Sequence, residues 1–316
     1  MRPVALLCSD FHASLSPPVI RSAETDWIEA MRRPLRQIRE LQKELSKGRD
    51  WNIPVLFAGD LFDRWNSSAE LTNFLLEEIP DDFWTIPGQH DLPHHSYEDV
   101  KRSSYWTLVA AGKIDNVPNE TVRVSDELLV LGFPWGFEPR GWDHHCEPGD
   151  EGLVVALIHR YCWTERTKHP NASESGSCPV IQEQMKGFDL IVSGDNHKPF
   201  FQRGSGDRPS VFNCGTLMRR KADEIDHRPS IGVLMSDGKV ERRFLDCSED
   251  KFLEQETTNK LLGAKIDLAD FVDGLTGLEA EETDFVDVVN RFLDGNRLDP
   301  DVKRTILEVV EHAKGK

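Results

Sequence analysis

The sequence lacks any long apolar run. No stretch approaches the roughly 18 residues that a membrane-spanning helix requires, and the first apolar segment, residues 4–8, is too short for the core of a secretory signal peptide. Internal repeats and low-complexity tracts are absent as well. The sequence therefore predicts a globular, cytoplasmic protein without membrane attachment.

Cysteines are few, and none lies in the C-x-x-C spacing of zinc and redox sites. Cys8 and Cys214 fall within apolar, strand-like runs, where small buried thiols are common. We expect all six cysteines to be reduced and structural. The run Asp143-His144-His145-Cys146 has no second pair of ligands at a suitable distance, so it predicts a solvated loop and not a structural zinc site.

Positive charge is also scarce, since the 316 residues carry a net charge of −17. This balance argues against a protein that coats nucleic acid with a broad basic face, because such binding depends on Lys and Arg at phosphates. It does not exclude a nuclease, since two divalent cations would add four positive charges where a phosphate must lie. The apolar content of 38% is enough for a full core, and the length suggests two domains.

What the sequence does contain is four short polar clusters, each directly after an apolar, strand-like run. The clusters are Asp10-Phe11-His12, Gly59-Asp60-Leu61-Phe62-Asp63, Gly88-Gln89-His90-Asp91 and Gly194-Asp195-Asn196-His197. His159 follows another such run in the same way. The predicted strands cover residues 4–8, 53–58, 83–86, 153–158 and 190–193. Because sites in open α/β sheets form outside the carboxyl ends of strands, we expect these side chains to meet at one rim.

Each cluster alone is weak evidence for a functional site, because an Asp after Gly is more often a turn residue than a ligand. Five segments in this order are hard to explain as turns. Two divalent cations about 3.5–4 Å apart require several carboxylates and imidazoles from separate segments, one of them shared. The clusters therefore predict a two-metal phosphoesterase site.

The order D-x-H, G-D-x-x-D, G-x-H-D, H and G-x-x-H makes the chain resemble the calcineurin-like metallophosphoesterases. The early D-x-H, the long first helix and the late strands before a helical tail most resemble SbcD-type DNA repair nucleases, including phage recombination endonuclease subunits. The resemblance is specific over residues 1 to about 220. It implies a four-layer α/β/β/α sandwich of two mixed sheets, with two divalent metal ions at one edge.

Carried over position by position, the resemblance implies the ligands of both cations. Those of the first are Asp10, His12, Asp60 and His197. Those of the second are Asp60, Gln89, His159 and Asp195. Asp60 would therefore bridge the two cations.

The chain departs from the family pattern at two of these positions. The family usually has Asn where Gln89 stands and His where Asp195 stands, so both changes fall on the second cation. Gln keeps an amide oxygen on a longer arm, and Asp replaces a neutral nitrogen by a charged oxygen. Oxygen ligands favour Mn²⁺ or Mg²⁺ over Zn²⁺, so we expect Mn²⁺, with Mg²⁺ as an alternative. A degraded, weakly occupied second site remains the competing interpretation.

His90 matches the catalytic histidine of the family, which stabilises the transition state and protonates the leaving oxygen. We expect Asp91 to orient its imidazole. His94 and His95 are expected to line the substrate cleft, although a polar loop beside any site has the same pattern. Asp63 is expected to anchor the loop or a ligand rather than to bind a metal. The basic turn Arg219-Arg220-Lys221 could contact a substrate phosphate. The alternative is an ordinary basic turn on the surface of an acidic protein.

Two helices and further strands are predicted around the clusters. Apolar residues at helical spacing predict a long crossover helix over residues 24–47 and a second helix over 68–78. Alternating short runs predict a hairpin over 121–133. The segments expected to form an antiparallel second layer or edge are 200–202, 211–213, 231–235 and 240–245.

The last part of the chain has helical patterning and an acidic composition. We expect a metallophosphoesterase catalytic domain over residues 1–247 and a helical region over 248–316. The latter carries 17 Asp and Glu against 9 Lys and Arg, which disfavours DNA binding. By resemblance, it would dock an SbcC-type ATPase, or its helices simply pack on the catalytic domain. A homo-oligomer is equally compatible with the sequence.

The function predicted from these features is a two-metal phosphodiesterase that acts on DNA as an exonuclease or endonuclease in recombination or repair. The predicted site implies phosphoester hydrolysis, while the DNA substrate rests on the resemblance. One alternative is a small-molecule phosphoesterase that cleaves a cyclic nucleotide, a dinucleoside polyphosphate or a phosphoprotein. A second is a non-catalytic scaffold whose altered second site binds no metal.

Overall fold

The computed structural model describes residues 1–142 and 152–253. The expected loop at Asp143 to Cys146 and nearly all of the expected helical region, residues 254–316, lie outside the described residues. Along the described part of the chain, no helix combines the length and apolar character that crossing a membrane requires.

Two six-stranded mixed sheets form the frame of the described residues. The first sheet contains, in spatial order, β12 (Val240–Phe244), β11 (Ser230–Met235), β1 (Pro3–Cys8), β2 (Val55–Phe57), β3 (Phe83–Thr85) and β4 (Asp115–Asn116). The second contains β5 (Val122–Ser125), β6 (Leu128–Phe133), β7 (Leu153–His159), β8 (Leu190–Gly194), β10 (Ser210–Asn213) and β9 (Phe200–Gln202). Strands β1 to β4 run parallel, as do β6, β7, β8 and β10. The carboxyl ends of each parallel set therefore lie at one edge of their sheet.

Four α-helices accompany the sheets in the described residues. They are α1 (Trp27–Leu45), α2 (Ala69–Glu78), α3 (Ser104–Ala110) and α4 (Cys178–Gln184). Asp26 caps the start of α1, because its side chain accepts a hydrogen bond from the Glu29 backbone N–H at 2.9 Å. Ser68 caps α2 in the same way and accepts the backbone N–H of Leu71. Both caps satisfy backbone donors that the first helical turn leaves free.

The side-chain alternation of the central strands separates two hydrophobic cores. On β7, Val155 and Leu157 face the large core that both sheets and α1 share. Val154 and Ala156 face the opposite side and pack in a second core that includes Ile181 of α4. Because β7 is apolar on both faces, it lies buried between two layers, as parallel strands generally do. The α/β sandwich expected from the resemblance is confirmed.

The predicted strands and the two helices predicted within the described residues are present, with ends that differ by at most three residues. The hairpin over 121–133 is confirmed as the antiparallel pair of β5 and β6. Of the two arrangements expected for the late strands, an antiparallel second layer or an edge, the edge is the one present, because β12 pairs antiparallel with β11 and β9 with β10 at one edge of each sheet. Strand β10 pairs parallel with β8, whereas β11 and β12 complete the other sheet. The late strands therefore close both sheets and do not form a layer of their own.

Candidate metal centre

The predicted ligands lie together where strands of both sheets end. Asp10 follows β1, Asp60 follows β2, Gln89 follows β3, His159 ends β7, and Asp195 follows β8. Backbone hydrogen bonds join their loops, for example from Asp10 N–H to the Gly59 carbonyl at 3.0 Å. The Asp195 N–H donates to Asp10 Oδ1 at 3.0 Å, which links the two sheets. The convergence expected from the strand order is therefore what the structure shows.

One group of potential ligands consists of Asp10, His12 and His197, with ligand atoms within 4.8 Å of one another. The Nε2 atoms of the two imidazoles face each other at 3.1 Å. Two such nitrogens can share only one proton, so at least one lone pair points into the space between them. A cation at this place would accept the lone pairs of both Nε2 atoms.

A second group consists of Asp10, Asp60 and His159, again within 4.8 Å. Asp60 Oδ2 lies 3.3 Å from His159 Nε2 and 3.7 Å from His12 Nε2. The same carboxylate oxygen thus adjoins both groups, which is the placement that a bridging ligand needs. The bridging role itself remains a prediction.

Buried side-chain atoms that lack a hydrogen-bond partner show whether these residues fit a metal ion. Asp60 Oδ2, Gln89 Oε1 and His159 Nε2 are buried, and none has a hydrogen-bond partner within the described residues. Buried polar atoms without partners are rare, because each costs about 1–3 kcal/mol. Asp60 Oδ2 and Gln89 Oε1 offer lone pairs, His159 Nε2 offers one once it loses its proton, and all three belong to the set predicted for the second cation. The residues therefore fit a divalent cation.

In His159 and His197, the ring nitrogen that faces away from the predicted cations, Nδ1, is hydrogen-bonded. His159 Nδ1 lies 2.6 Å from the Ala58 carbonyl, so it donates and leaves Nε2 directed at Asp60. His197 Nδ1 lies 2.9 Å from Glu224 Oε1 and leaves Nε2 directed at His12. Partners of this kind set the tautomer and the ring orientation of metal-binding histidines.

The electrostatics of the metal-free site are those of crowded acids and imidazoles. Burial raises the pKa of Asp10 to about 6, although His197 and His159 pull it down. Burial would lower the pKa of His159, but the charge of Asp60 raises it to about 10. Burial would likewise raise the pKa of Asp60, yet His159 and His12 hold it well below its usual range. A cation that binds here must therefore displace protons.

The backbone is strained at four of the predicted ligands. Asp10, His12, Asp60 and Asp195 have φ angles of 54°, 51°, 59° and 74°. Left-handed φ values in residues other than glycine cost on the order of 1–3 kcal/mol each and cluster at functional sites. Among the described residues, six of the seven such cases lie at this site or in the loop after His90, and Asp82 is the exception.

Gln89 and Asp195, the two departures from the family pattern, contact each other. Gln89 Nε2 donates to Asp195 Oδ1 at 3.0 Å, while Gln89 Oε1 has no partner within the described residues. The amide thus points its oxygen away from Asp195. The two altered residues form one hydrogen-bonded unit, so the longer arm of Gln89 is matched by an acceptor that a histidine at position 195 would not offer in the same way.

The catalytic histidine of the resemblance, His90, lies half-buried beside His12, with ring centroids 5.0 Å apart. Its Nδ1 donates to the Asp63 carbonyl at 3.1 Å. Asp91, expected to orient this ring, does something else. Its carboxylate accepts the backbone N–H groups of Phe62 at 2.9 Å, Gly88 at 3.0 Å and Leu61 at 3.2 Å. Asp91 therefore ties the Asp60 loop to the Gly88 loop, and Asp63 orients His90.

The loop after the catalytic histidine is exposed and strained. His94 and His95 have φ angles of 51° and 56°. His95 Nδ1 contacts the Gln89 carbonyl at 3.0 Å, and the His94 ring lies 6.2 Å from that of Trp65. Their side chains are accessible beside His90, but no contact tests substrate binding, which remains a prediction.

The basic turn is mostly engaged within the protein. Arg219 pairs with Asp250 at 2.9 Å, and Arg220 pairs with Asp63 at 2.8 Å. Asp63 is thus an anchor of the loop, as expected. Arg220 also donates to the His12 carbonyl. These arginines are committed to the structure, and the phosphate contact considered for them is not needed to explain them.

Sequence reasoning missed Glu224. It lies in a turn after β10, 27 residues beyond His197, outside every motif. Its side chain is only 7% exposed, and it touches a predicted ligand. No local signal distinguishes it from the exposed acids around it. Only the path of the chain back to the site identifies it.

Comparisons with known proteins agree with this geometry. The family model for calcineurin-like phosphoesterase matches residues 4–199, more than half of the chain, and this span contains all predicted ligands. No curated protein matches the sequence.

Solved structures with a similar fold share little sequence with this chain. The protein TT1561 of Thermus thermophilus is 16% identical with a TM-score of 0.45, over 78% of this chain and 100% of that one. The 5′-nucleotidase precursor from the same organism is 13% identical with a TM-score of 0.44, over 84% of this chain and 59% of that one. The sulfate thiohydrolase SoxB, also from Thermus thermophilus, is 13% identical with a TM-score of 0.44, over 85% of this chain and 61% of that one. Similarity at this level says nothing about the substrate.

Proposed function

The chain belongs to the calcineurin-like phosphoesterases, and from this membership we propose that it is a two-metal phosphodiesterase that cleaves DNA. The observation that carries the hydrolytic part is the burial of Asp60 Oδ2, Gln89 Oε1 and His159 Nε2 without a hydrogen bond from any described residue. A scaffold without metal would leave Gln89 Oε1 unsatisfied in its interior, and Asp60 Oδ2 and His159 Nε2, 3.3 Å apart, would have only each other. Metal binding removes this cost.

The residues that would hold the cations are those of the two ligand sets that the family resemblance implies. Asp10, His12, Asp60 and His197 would hold the first, and Asp60, Gln89, His159 and Asp195 the second. When bound, such cations supply Lewis-acid polarisation of the phosphoryl oxygen and acidify water near neutral pH. The oxygen-rich second set favours Mn²⁺, with Mg²⁺ as the alternative.

His90 supplies the proton chemistry. Its Nδ1–H is fixed by the Asp63 carbonyl, so Nε2 remains available to substrate. In its protonated form, the ring stabilises charge on the phosphoryl oxygens and gives a proton to the leaving oxygen. A positioned general acid of this kind contributes about 10²–10⁴-fold to the rate.

DNA as the substrate is supported by the similarity of the motif order to SbcD-type nucleases, as is a role in recombination or repair in the cytoplasm. The same similarity supports an SbcC-type ATPase as partner. For docking we propose residues 248–316, because their net negative charge disfavours DNA.

The decisive assay is degradation of end-labelled single- and double-stranded DNA with Mn²⁺, Mg²⁺ or Zn²⁺, beside bis-p-nitrophenyl phosphate as a small diester. We expect cleavage of both substrates with Mn²⁺ and its loss in Asp60→Asn. Cleavage of the small diester without cleavage of DNA would replace the proposal by a small-molecule phosphoesterase. Protein purified without chelator that holds no metal by mass spectrometry, and cleaves neither, would be a scaffold.

A further inference from the structure

A short turn after β10 approaches the metal centre from outside the family motifs. It runs from Arg219 to Glu224, and its last residue is a buried carboxylate with a side-chain exposure of 7%. A buried carboxylate is costly unless hydrogen bonds replace its hydration. The contacts of Glu224 therefore indicate what it does.

Both oxygens of Glu224 are occupied, each by a different kind of donor. Oε1 lies 2.9 Å from Nδ1 of His197. Oε2 accepts the backbone N–H groups of Arg220 at 2.7 Å and of Lys221 at 3.0 Å. The backbone donors fix the direction of the carboxylate, and the carboxylate in turn fixes the imidazole. His197 carries its proton on Nδ1 and presents Nε2 to the site.

The turn itself is held on two sides. Towards the site, Arg220 donates to Asp63 Oδ1 at 2.8 Å and to the His12 carbonyl. On the other side, the Arg219 guanidinium binds the Asp250 carboxylate at 2.9 Å and the Cys247 carbonyl at 3.1 Å. Glu224 is thus placed by contacts on both sides of the turn and has little freedom to follow a moving histidine.

We propose that Glu224 is a positioning residue for the metal centre, which holds His197 in the tautomer and orientation that bind a cation through Nε2. This inference rests on the proposed function, since it concerns a predicted ligand of the first cation. The role differs from mere capping of the turn, because it acts on the histidine and not only on the backbone.

Two substitutions separate the roles. In Glu224→Gln, the amide oxygen gains more by accepting the two backbone N–H groups than by accepting one imidazole N–H. The amide NH₂ then faces His197 Nδ1 and favours the proton on Nε2, where it blocks ligation. In Glu224→Ala, His197 can still adopt either tautomer. Positioning therefore predicts that Gln is at least as harmful to metal binding as Ala, whereas capping alone predicts that Gln is milder.

The measurement is Mn²⁺ binding to the full chain, followed by the electron paramagnetic resonance signal of free Mn²⁺. We expect two ions on the native protein and about 10–100-fold weaker binding of one ion in Glu224→Gln, the usual cost of removing such a partner. The exposed Asp226→Asn, in the adjacent segment, is the matched control and should bind as the native protein does.

The outcomes are distinct. Native protein that binds no Mn²⁺ overturns the proposed function. Suppose that native protein binds two ions. If Glu224→Gln then binds Mn²⁺ as tightly as native protein, or clearly more tightly than Glu224→Ala, the positioning role alone is overturned. Glu224→Gln keeps the size and the backbone hydrogen bonds of the native residue, so its comparison with native protein stands even if Glu224→Ala does not fold.

Discussion

A methyl group at Gly88 should disable the metal centre while leaving most of the fold intact. Gly88 precedes Gln89 and lies against the Asp60 loop. A Cβ atom there would overlap Asp60 Oδ1 and would lie 2.5 Å from Asp60 N and 2.6 Å from Asp60 Cγ. The φ angle of Gly88 is −88°, which any residue adopts, so the effect of Gly88→Ala is purely steric.

The size of the effect follows from these distances. Ordinary contact begins at 3.4 Å, so Asp60 Cγ at 2.6 Å must retreat by about 0.8 Å. The backbone cannot share this movement freely, because the Asp60 carbonyl already accepts the N–H groups of Phe11 and His12 at 3.0 Å. Overpacking of this kind costs about 1–3 kcal/mol of stability. A displacement approaching 1 Å at a catalytic group costs roughly 10²-fold in rate.

The assay is hydrolysis of bis-p-nitrophenyl phosphate with Mn²⁺, alongside urea unfolding of the metal-free protein. We expect Gly88→Ala to lose about 10²-fold in kcat/KM. Gly206→Ala is the matched control, since Gly206 has open space around it and a φ of 63°. That control should lose about 1–2 kcal/mol of stability from backbone strain, with unchanged activity. Normal activity in Gly88→Ala would refute the assignment of Asp60 as a shared ligand.

Three further outcomes follow from the site. His90→Gln should slow hydrolysis by about 10²–10⁴-fold while metal content stays near native, and loss of metal would make His90 a ligand. Asp195→His should shift relative affinity from Mn²⁺ towards Zn²⁺ in competition titrations, and unchanged affinities would mean that Asp195 does not reach a cation. In metal-free protein, the pKa of Asp10, raised by burial to about 6, means that the folded state holds this proton more tightly than the unfolded chain. About 3 kcal/mol of stability should therefore be lost as pH rises from about 4 through 6, and Asp10→Asn should remove this part of the dependence in urea unfolding, while the part due to Asp91, whose pKa burial raises to about 7, stays.

The strands were predictable because each buried run is short, apolar and followed by a polar cluster. Val155 and Leu157 on one face of β7, with Val154 and Ala156 on the other, make the strand apolar throughout, which is the pattern of a buried parallel strand. The partners of the late strands were not predictable. Whether β10 joins β8 or β11 depends on packing between sheets, and the alternation of a single strand does not encode it.

The predicted ligands came from residue type and spacing, but their partners did not. Asp91 and Glu224 are both acids near a histidine, and only the three-dimensional path shows that Asp91 binds three backbone N–H groups while Glu224 holds His197. The orienting group of His90 is a backbone carbonyl, which any residue at position 63 would supply. Sequence patterns report side chains, so a backbone partner leaves no trace in them.

The predicted ligands with strained backbone angles and the buried ligand atoms without hydrogen bonds lie together at the metal centre. Asp10, His12 and Asp60 take left-handed backbone angles, and the N–H groups of Asp10 and His12 donate to the Gly59 and Asp60 carbonyls. These loops therefore hold one another in place, even though each alone would relax to a less strained conformation. At the same residue, Asp60 Oδ2 is buried without a hydrogen bond from any described residue. Strain and desolvation thus fall on the residues that would gain most from a cation, which is why backbone angles identify this centre independently of its sequence motifs.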